Sequence, residues 1–323
     1  MSVKNSEILL IYEARLCNPN GDPDDENKPR MDPRTGINLV SDVRLKRFFR
    51  NYVMNAFGED YVWVSTVNGK HVDATQRLTE LVEKSVQKGK DTDQDDSEKK
   101  QTIFKNCIDA RLFGAVIPLK GESEGKGQSL SFTGPVQFSW GYSLHPVEIV
   151  DSASITSMFK GRTAGGEAGT IGKDWRLYYS LIAFYGVISK ARASNTGLVD
   201  EDVKILDNLL WTAIAQDATT RSKIGHKPHL YLRMETDDDL FMGDLRKYVD
   251  VSYDSSKPIR SLSDLNVSLG RLSDKLKSVS AINTIYVMES DEMQGILTST
   301  LSGKTVKLLP HDIKLSGDML ARS

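Results

Sequence analysis

Only two of the 323 residues are cysteine, Cys17 and Cys107, and they lie far apart in the chain. That excludes a disulfide scaffold and points to a reducing compartment. A basic excess is also missing, since 42 Lys and Arg face 44 Asp and Glu for a net charge of -2. A uniformly cationic surface is therefore excluded, and any nucleic-acid site must come from local segregation of charge. No run of 18 apolar residues occurs, and Met1 to Glu7 carries no signal-peptide pattern, so a soluble, cytoplasmic chain is expected. With 39% hydrophobic residues, the chain can bury a sizeable core, as one large domain or a domain with insertions.

The usual signatures of chemistry are missing as well. Gly161 and Gly166 have the separation of a phosphate loop, but Glu167 stands where its lysine must reach phosphate. Gly172-Lys173 is followed by Asp174 where Ser or Thr is needed. Asp22, Asp24 and Glu26 alternate as in a calcium loop, yet Asn27 replaces the turn glycine and Pro33 the closing acid. His71, His145, His226, His229 and His311 form no metal-binding pair; Lys227-Pro228 interrupts the one close spacing. No Gly-x-Ser-x-Gly elbow occurs. No catalytic residue, metal or cofactor is expected.

What is present reads as alternating strand and helix. Ile8 to Tyr12 is an apolar run continued by alternation to Leu16, a strand. Asn18 to Asn38, with four prolines and two glycines, reads as a long loop. Ser41 suits a helix N-cap, and Leu45, Phe48, Phe49, Tyr52 and Val53 form one apolar stripe behind it. Glu59 to about Arg111 looks inserted, with helical spacing over 76–87 and a polar acidic stretch at 91–98. Residues 129–150 predict strands broken at Gly134-Pro135. Residues 175–192 and 200–215 predict helices, 230–235 a strand, 262–276 an amphipathic helix at 3-4-3-4 leucine spacing, and 282–288 and 305–309 closing strands. This order suits an α+β, ferredoxin-like arrangement.

The remaining signal is cationic. Arg44, Lys46, Arg47 and Arg50 fall opposite the apolar stripe of the Ser41 helix. A solvated helix face would explain such a group alone. However, the preceding loop adds Asn18, Asn20, Lys28 and Arg30, and Thr219 to Lys223 forms a second cluster. Guanidinium and ammonium groups pair with phosphate oxygens, while hydroxyls and amides complete such contacts without reading sequence.

Several longer segments carry a resemblance. Asn18 to Gly36 reads NPNGDPDDENKPRMDPRTG, Leu39 to Arg50 reads LVSDVRLKRFFR, and Asp109 to Ile117 reads DARLFGAVI. Phe132 to Pro146 reads FTGPVQFSWGYSLHP, Ala183 to Ile188 reads AFYGVI, and Thr220 to Gly225 reads TRSKIG. Over about residues 6 to 235 the chain resembles the Cas-seven backbone subunit of the type I CRISPR Cascade complex, particularly its type I-B (Csh-two) branch, with type I-C (Csd-two) as near relative. The resemblance implies a non-catalytic subunit whose copies stack head to tail on a crRNA guide, beside other Cascade subunits, leaving bases free to pair with target DNA. It implies a modified RRM-like palm (1–57, 113–147 and 177–323), a helical finger insertion (58–112) and a long β-hairpin thumb (148–176). It places RNA contacts at Asn18, Asn20, Ser41, Arg44, Lys46, Arg47, Thr220, Arg221, Ser222 and Lys223. At the thumb tip the chemistry of Met158, Phe159 and Lys160 suits either a wedge between bases or packing between neighbouring copies.

Two enzymatic alternatives stand beside this reading. Backbone subunits of type III complexes cleave target RNA through a loop aspartate, and Asp22, Asp24, Asp25 and Asp32 lie in the comparable region. A guide-processing endonuclease would need a general acid or base, often histidine, and the matched loop and helix motifs contain none.

Overall fold

A computed structural model of the chain describes residues 3–67, 70–86, 96–119, 128–151, 154–157, 170–217, 220–237, 241–311 and 315–322. In chain order its main elements are β1 (Asn5–Cys17), β2 (Met31–Asp32), β3 (Ile37–Val40), α1 (Asp42–Phe57), α2 (Ala74–Val86), α3 (Asp96–Asn106) and α4 (Ile108–Phe113). There follow β4 (Val136–Phe138), β5 (Gly141–Pro146), β6 (Leu177–Ile188), α5 (Lys190–Thr196), α6 (Asp200–Gln216), β7 (His226–Thr236), α7 (Gly270–Ser278), β8 (Ile282–Glu289) and β9 (Val306–Leu308). These strands build one sheet in the order β9-β8-β7-β1-β6-β5-β3-β2, with β4 also on β6. All pairings are antiparallel except β8 with β9, so the sheet is mixed and the class is α+β.

β1 is the centre. Its Leu10 lies opposite Phe184 of β6 and Tyr231 of β7. Ile8, Leu10 and Tyr12 point to one face, where Phe48 and Phe49 of α1 and Leu206 and Leu210 of α6 cover them. Leu9 and Ile11 point to the other, under Leu272 and Leu276 of α7 and Leu245, Met293 and Leu297. Both faces are therefore dry, and the central strands lose the polar alternation of a half-solvated sheet.

That double burial explains one misreading. Residues 175–192 suggest a helix, but 177–188 form β6, almost entirely buried. An apolar run flanked by core on both sides carries no period that separates strand from helix. The leucine stripe of 262–276 is also divided. Leu262–Asp264 is a 3-10 turn and Leu265–Ser268 a strand paired with Asp250–Tyr253; only Gly270–Ser278 is helical. Alternation at Leu265 and Val267 competes there with the helical spacing and prevails.

The 59–133 region has an apolar cluster of its own, in which Trp63, Leu78, Leu81, Ile103 and Phe104 pack with Ala115, Ile117 and Phe132. Buried ion pairs tie it to the main body. Asp109 accepts from Arg50 Nε at 2.7 Å and from the Trp63 amide at 2.6 Å. Arg111, fully buried, pairs with Asp202 of α6 at 3.0 Å and donates to the Leu320 carbonyl at 2.6 Å. Arg50 is thus a structural cation inside the protein, a correction to its expected place on the open face of α1. The extended segments Ser154–Ser157 and Thr170–Lys173 pair as an antiparallel hairpin. Met158, Phe159 and Lys160 lie outside the described residues. Among the described residues, no helix is long and apolar enough to cross a membrane.

Candidate nucleic-acid interface

Three segments far apart in sequence meet where β1 ends, β7 begins and α1 starts. The Arg15 amide donates to the Gly225 carbonyl at 3.0 Å, and the Asn18 amide to the Ser222 carbonyl at 2.9 Å. Gly225 has φ +112, and a Cβ there would sit 2.1 Å from the Arg15 carbonyl oxygen, so only glycine permits this junction. Asn20 Oδ1 accepts from the Ser41 amide at 2.8 Å and from its hydroxyl at 2.9 Å. Ser41 in turn caps α1 by accepting from the Arg44 amide at 3.2 Å, as its residue type predicts. The expected loop, helix and 220–223 cluster are therefore one assembly.

Their side chains divide into two groups. Asn18, Asn20, Ser41 and Lys223 build the junction. Asn18 is buried and donates its side-chain amide to the Asn27 carbonyl at 2.6 Å. The Lys223 ammonium is directed inward onto the carbonyls of Asn18 and Pro19. Burial, followed by the nearby Arg44 charge, lowers its pKa to about 8. Neighbouring His226 is held between Tyr12 and Phe48, with ring centroids at 5.6 and 5.4 Å. Burial and then Lys223 and Arg44 lower its pKa to about 3, so it is neutral.

In the second group only Arg221 and Thr220 are exposed. Arg221 is the most open, with 64% of its side chain exposed and Asp174 3.7 Å away. Thr220 is exposed and its carbonyl closes the turn by accepting from the Lys223 amide at 2.9 Å; Ser222 is half-buried. Arg44 stacks 4.1 Å from the Phe48 ring and pairs with Asp217, and Lys46 pairs with Asp42 at 2.9 Å. Arg47 lies half-buried beside Arg44 and Arg50, and among the described residues no carboxylate forms an ion pair with it. Burial and then the two neighbouring guanidiniums lower its pKa, against the opposing effect of Asp109 and Asp217. Sequence reasoning missed Asp217, which forms an ion pair with Arg44, and Arg176, which bridges the Leu16 and Arg221 carbonyls at 2.7 and 3.2 Å. A lone acid at a helix end and an arginine before a strand carry no recognisable pattern.

The root of the 154–173 hairpin reaches the same place. Lys173 pairs with Glu26 at 2.5 Å, and the Lys28 ammonium lies 5.0 Å from the Trp175 ring. Three of the four candidate loop aspartates are engaged, Asp22 with Arg30 at 3.0 Å, Asp25 with Lys28 at 2.8 Å, and Asp32 with the Thr35 hydroxyl at 2.7 Å, while Asp24 is exposed. Among the described residues, no group of three or more His, Cys, Asp or Glu side chains is placed to hold a metal ion.

A protein of Haloferax volcanii described as CRISPR-associated protein Cas7 is 31% identical over 310 residues, spanning 91% of this chain and 89% of the relative. Among solved structures, a chain of a "CRISPR RNA-guided surveillance complex, pre-nicking" superposes with a TM-score of 0.54 at 12% identity, covering 95% of this chain and 97% of that one. A chain of another "CRISPR RNA-guided surveillance complex" gives 0.47 at 14% identity, covering 98% and 96%. Residues 4–270 match the family described as CRISPR-associated protein Cas7, and the chain belongs to that family.

Proposed function

We propose that this chain is the non-catalytic, crRNA-binding backbone subunit of a type I CRISPR surveillance complex (Cascade), of the type I-B branch, working in the cytoplasm. Copies pack head to tail along the guide, with other Cascade subunits, and present it for pairing with target DNA in antiviral defence. The observation that carries this reading is the convergence of the 18–20 and 220–223 segments at the start of α1, the helix that carries Arg47, a half-buried cation without an ion-pair partner among the described residues. A phosphate would supply the missing charge, and phosphate contacts hold any guide regardless of sequence. The names of the relatives support the same reading.

In this reading the strands β7-β1-β6-β5, with α1 and α6 on one face, are an RRM-like palm of βαββαβ order. Its other face lies under α7 and Leu245, so the RNA runs along the end of the sheet and does not cross its face. The fingers are 58–112 and the thumb 148–176, with Met158, Phe159 and Lys160 at its tip as wedge or as packing against the next copy. A target-cleaving role like that of type III subunits is not favoured, because Asp22, Asp25 and Asp32 are already engaged by Arg30, Lys28 and Thr35, which leaves only the exposed Asp24.

Purification tests the broad class: the complex should carry a discrete RNA, and a protein free of nucleic acid would count against it. Arg47→Ala should weaken RNA binding evenly across sequences. The slope of log affinity against log salt should fall by about one phosphate equivalent. An unchanged slope at matched salt would remove Arg47 from the interface.

Lys223 gives a pH dependence. With its pKa lowered to about 8, it carries charge below that pH and loses it above. A nearby phosphate favours the charged form, so RNA binding takes up a proton and affinity should fall as pH rises through about 8. Lys223→Gln should flatten that decline. An equal decline in both proteins would assign it to another group.

A further inference from the structure

We propose that Trp140, with the Arg30 guanidinium beside it, is a stacking platform for one base of the bound nucleic acid. The proposal rests on the RNA-binding reading above and adds a contact to the base where the cations hold the backbone. Trp63 and Trp211 are buried, whereas Trp140 is 46% exposed, a large apolar ring left in water on a rigid part of the fold. Its carbonyl accepts from Arg246 Nη1 at 2.7 Å, and Arg246 is itself locked by Asp244 at 2.7 Å. Ser139, just before it, is tied to the Tyr185 carbonyl at 2.9 Å. Gly141, just after it, allows the Phe184 ring to approach so closely that a Cβ would lie 2.4 Å away. The indole therefore projects from a pinned strand end, which keeps the ordering cost of stacking low.

Its position also fits. Gly141 lies opposite Val40, so Trp140 falls opposite Ser41, the cap of α1 that holds Asn20. The Arg30 guanidinium is 5.8 Å from the ring and is oriented by Asp22 at 3.0 Å. An exposed indole with a cation alongside binds the face of any base, which suits a guide of arbitrary sequence. The residues that flank it, Ser41, Asn20, Arg30 and Ser139, are polar, unlike the apolar centre of a protein interface. This favours a base over a neighbouring copy as occupant.

The test uses the intact chain, Trp140→Ala and Trp140→Phe, each with short oligoadenylate and with an abasic oligomer of equal length. Trp140→Ala should lose about tenfold in affinity for oligoadenylate without change in salt slope, Phe should restore most of it, and both variants should match the parent on the abasic oligomer. RNA should quench tryptophan emission in the parent and far less in Trp140→Phe. Unchanged affinity of Trp140→Ala, while Arg47→Ala still weakens binding, overturns the platform and leaves the RNA-binding reading standing. Equal losses on both oligomers overturn it too, as does intact oligomer binding with lost association between copies. No binding by the parent chain would overturn both readings.

Discussion

Asp207→Ala is expected to destabilise the protein by about 3 kcal/mol, the low end of the cost of breaking a buried ion pair, because Arg233 keeps a second carboxylate in Glu235. Asp207 is fully buried on α6 and accepts from the Tyr231 hydroxyl at 2.5 Å and from Arg233 Nε and Nη2 at 2.8 and 2.9 Å. Arg233, equally buried on β7, then keeps Glu235 at 2.7 Å, Ser6 at 3.2 Å and the Tyr286 ring, whose centroid is 4.1 Å away. The network joins α6 to four strand residues at the centre of the fold, so no local opening can bring in water to solvate the guanidinium. Thermal and urea unfolding would measure the loss, and Asp207→Leu with Arg233→Met and Glu235→Gln should recover most of it, because no charge of the cluster is then buried alone. A single variant that melts within a few degrees of the parent would mean that the pair contributes little.

Gly225→Val should act on fold and binding together. The substitution meets a backbone oxygen 2.1 Å from its Cβ at a φ of +112, so the Arg15–Gly225 hydrogen bond must open. Strain of this kind costs about 1–3 kcal/mol, and a β-branched residue is poorly suited to that φ. The larger consequence is positional. Gly225 ends the turn that carries Arg221 and Lys223, and Arg15 leads into Asn18, so one displaced bond separates two of the three converging segments. RNA affinity should fall further than with Arg47→Ala, while far-ultraviolet circular dichroism at low temperature stays close to that of the parent. Unaltered affinity would show that the junction does not position the RNA contacts.

Both variants concern features that the sequence conveys unevenly. The α1 stripe and its Ser41 cap are legible because a solvated helix must segregate its residues by period, and Leu45, Phe48, Phe49 and Val53 are all buried. The cationic segments are legible as candidates because cations and hydroxyls cluster there. Which side chain contacts what is not legible. Lys223 and Arg221 are two positions apart, yet one is folded inward onto carbonyls and the other is largely in solvent. Arg50 shares the arc of Arg47 but is neutralised by Asp109, a partner from the inserted region that no local pattern announces. β6 was hidden for a related reason: with helices on both faces of the sheet, burial erases the alternation that marks a strand.

The central place of β1 also governs when the protein can assemble. As the chain leaves the ribosome, the run Ile8 to Tyr12 emerges well before β6 and β7, the two strands that flank it. Helix α1 can form early and shield one side of that run, but one edge of β1 has no partner until β6 ends at residue 188 and the other none until β7 ends at residue 236. Until then an apolar strand with at least one open edge is exposed, a state prone to pairing with other chains. Synthesis rate and chaperone supply, more than the final stability, should therefore decide how much soluble protein a cell obtains. Chains truncated before residue 226 should accumulate in inclusion bodies, however well α1 and the inserted region fold.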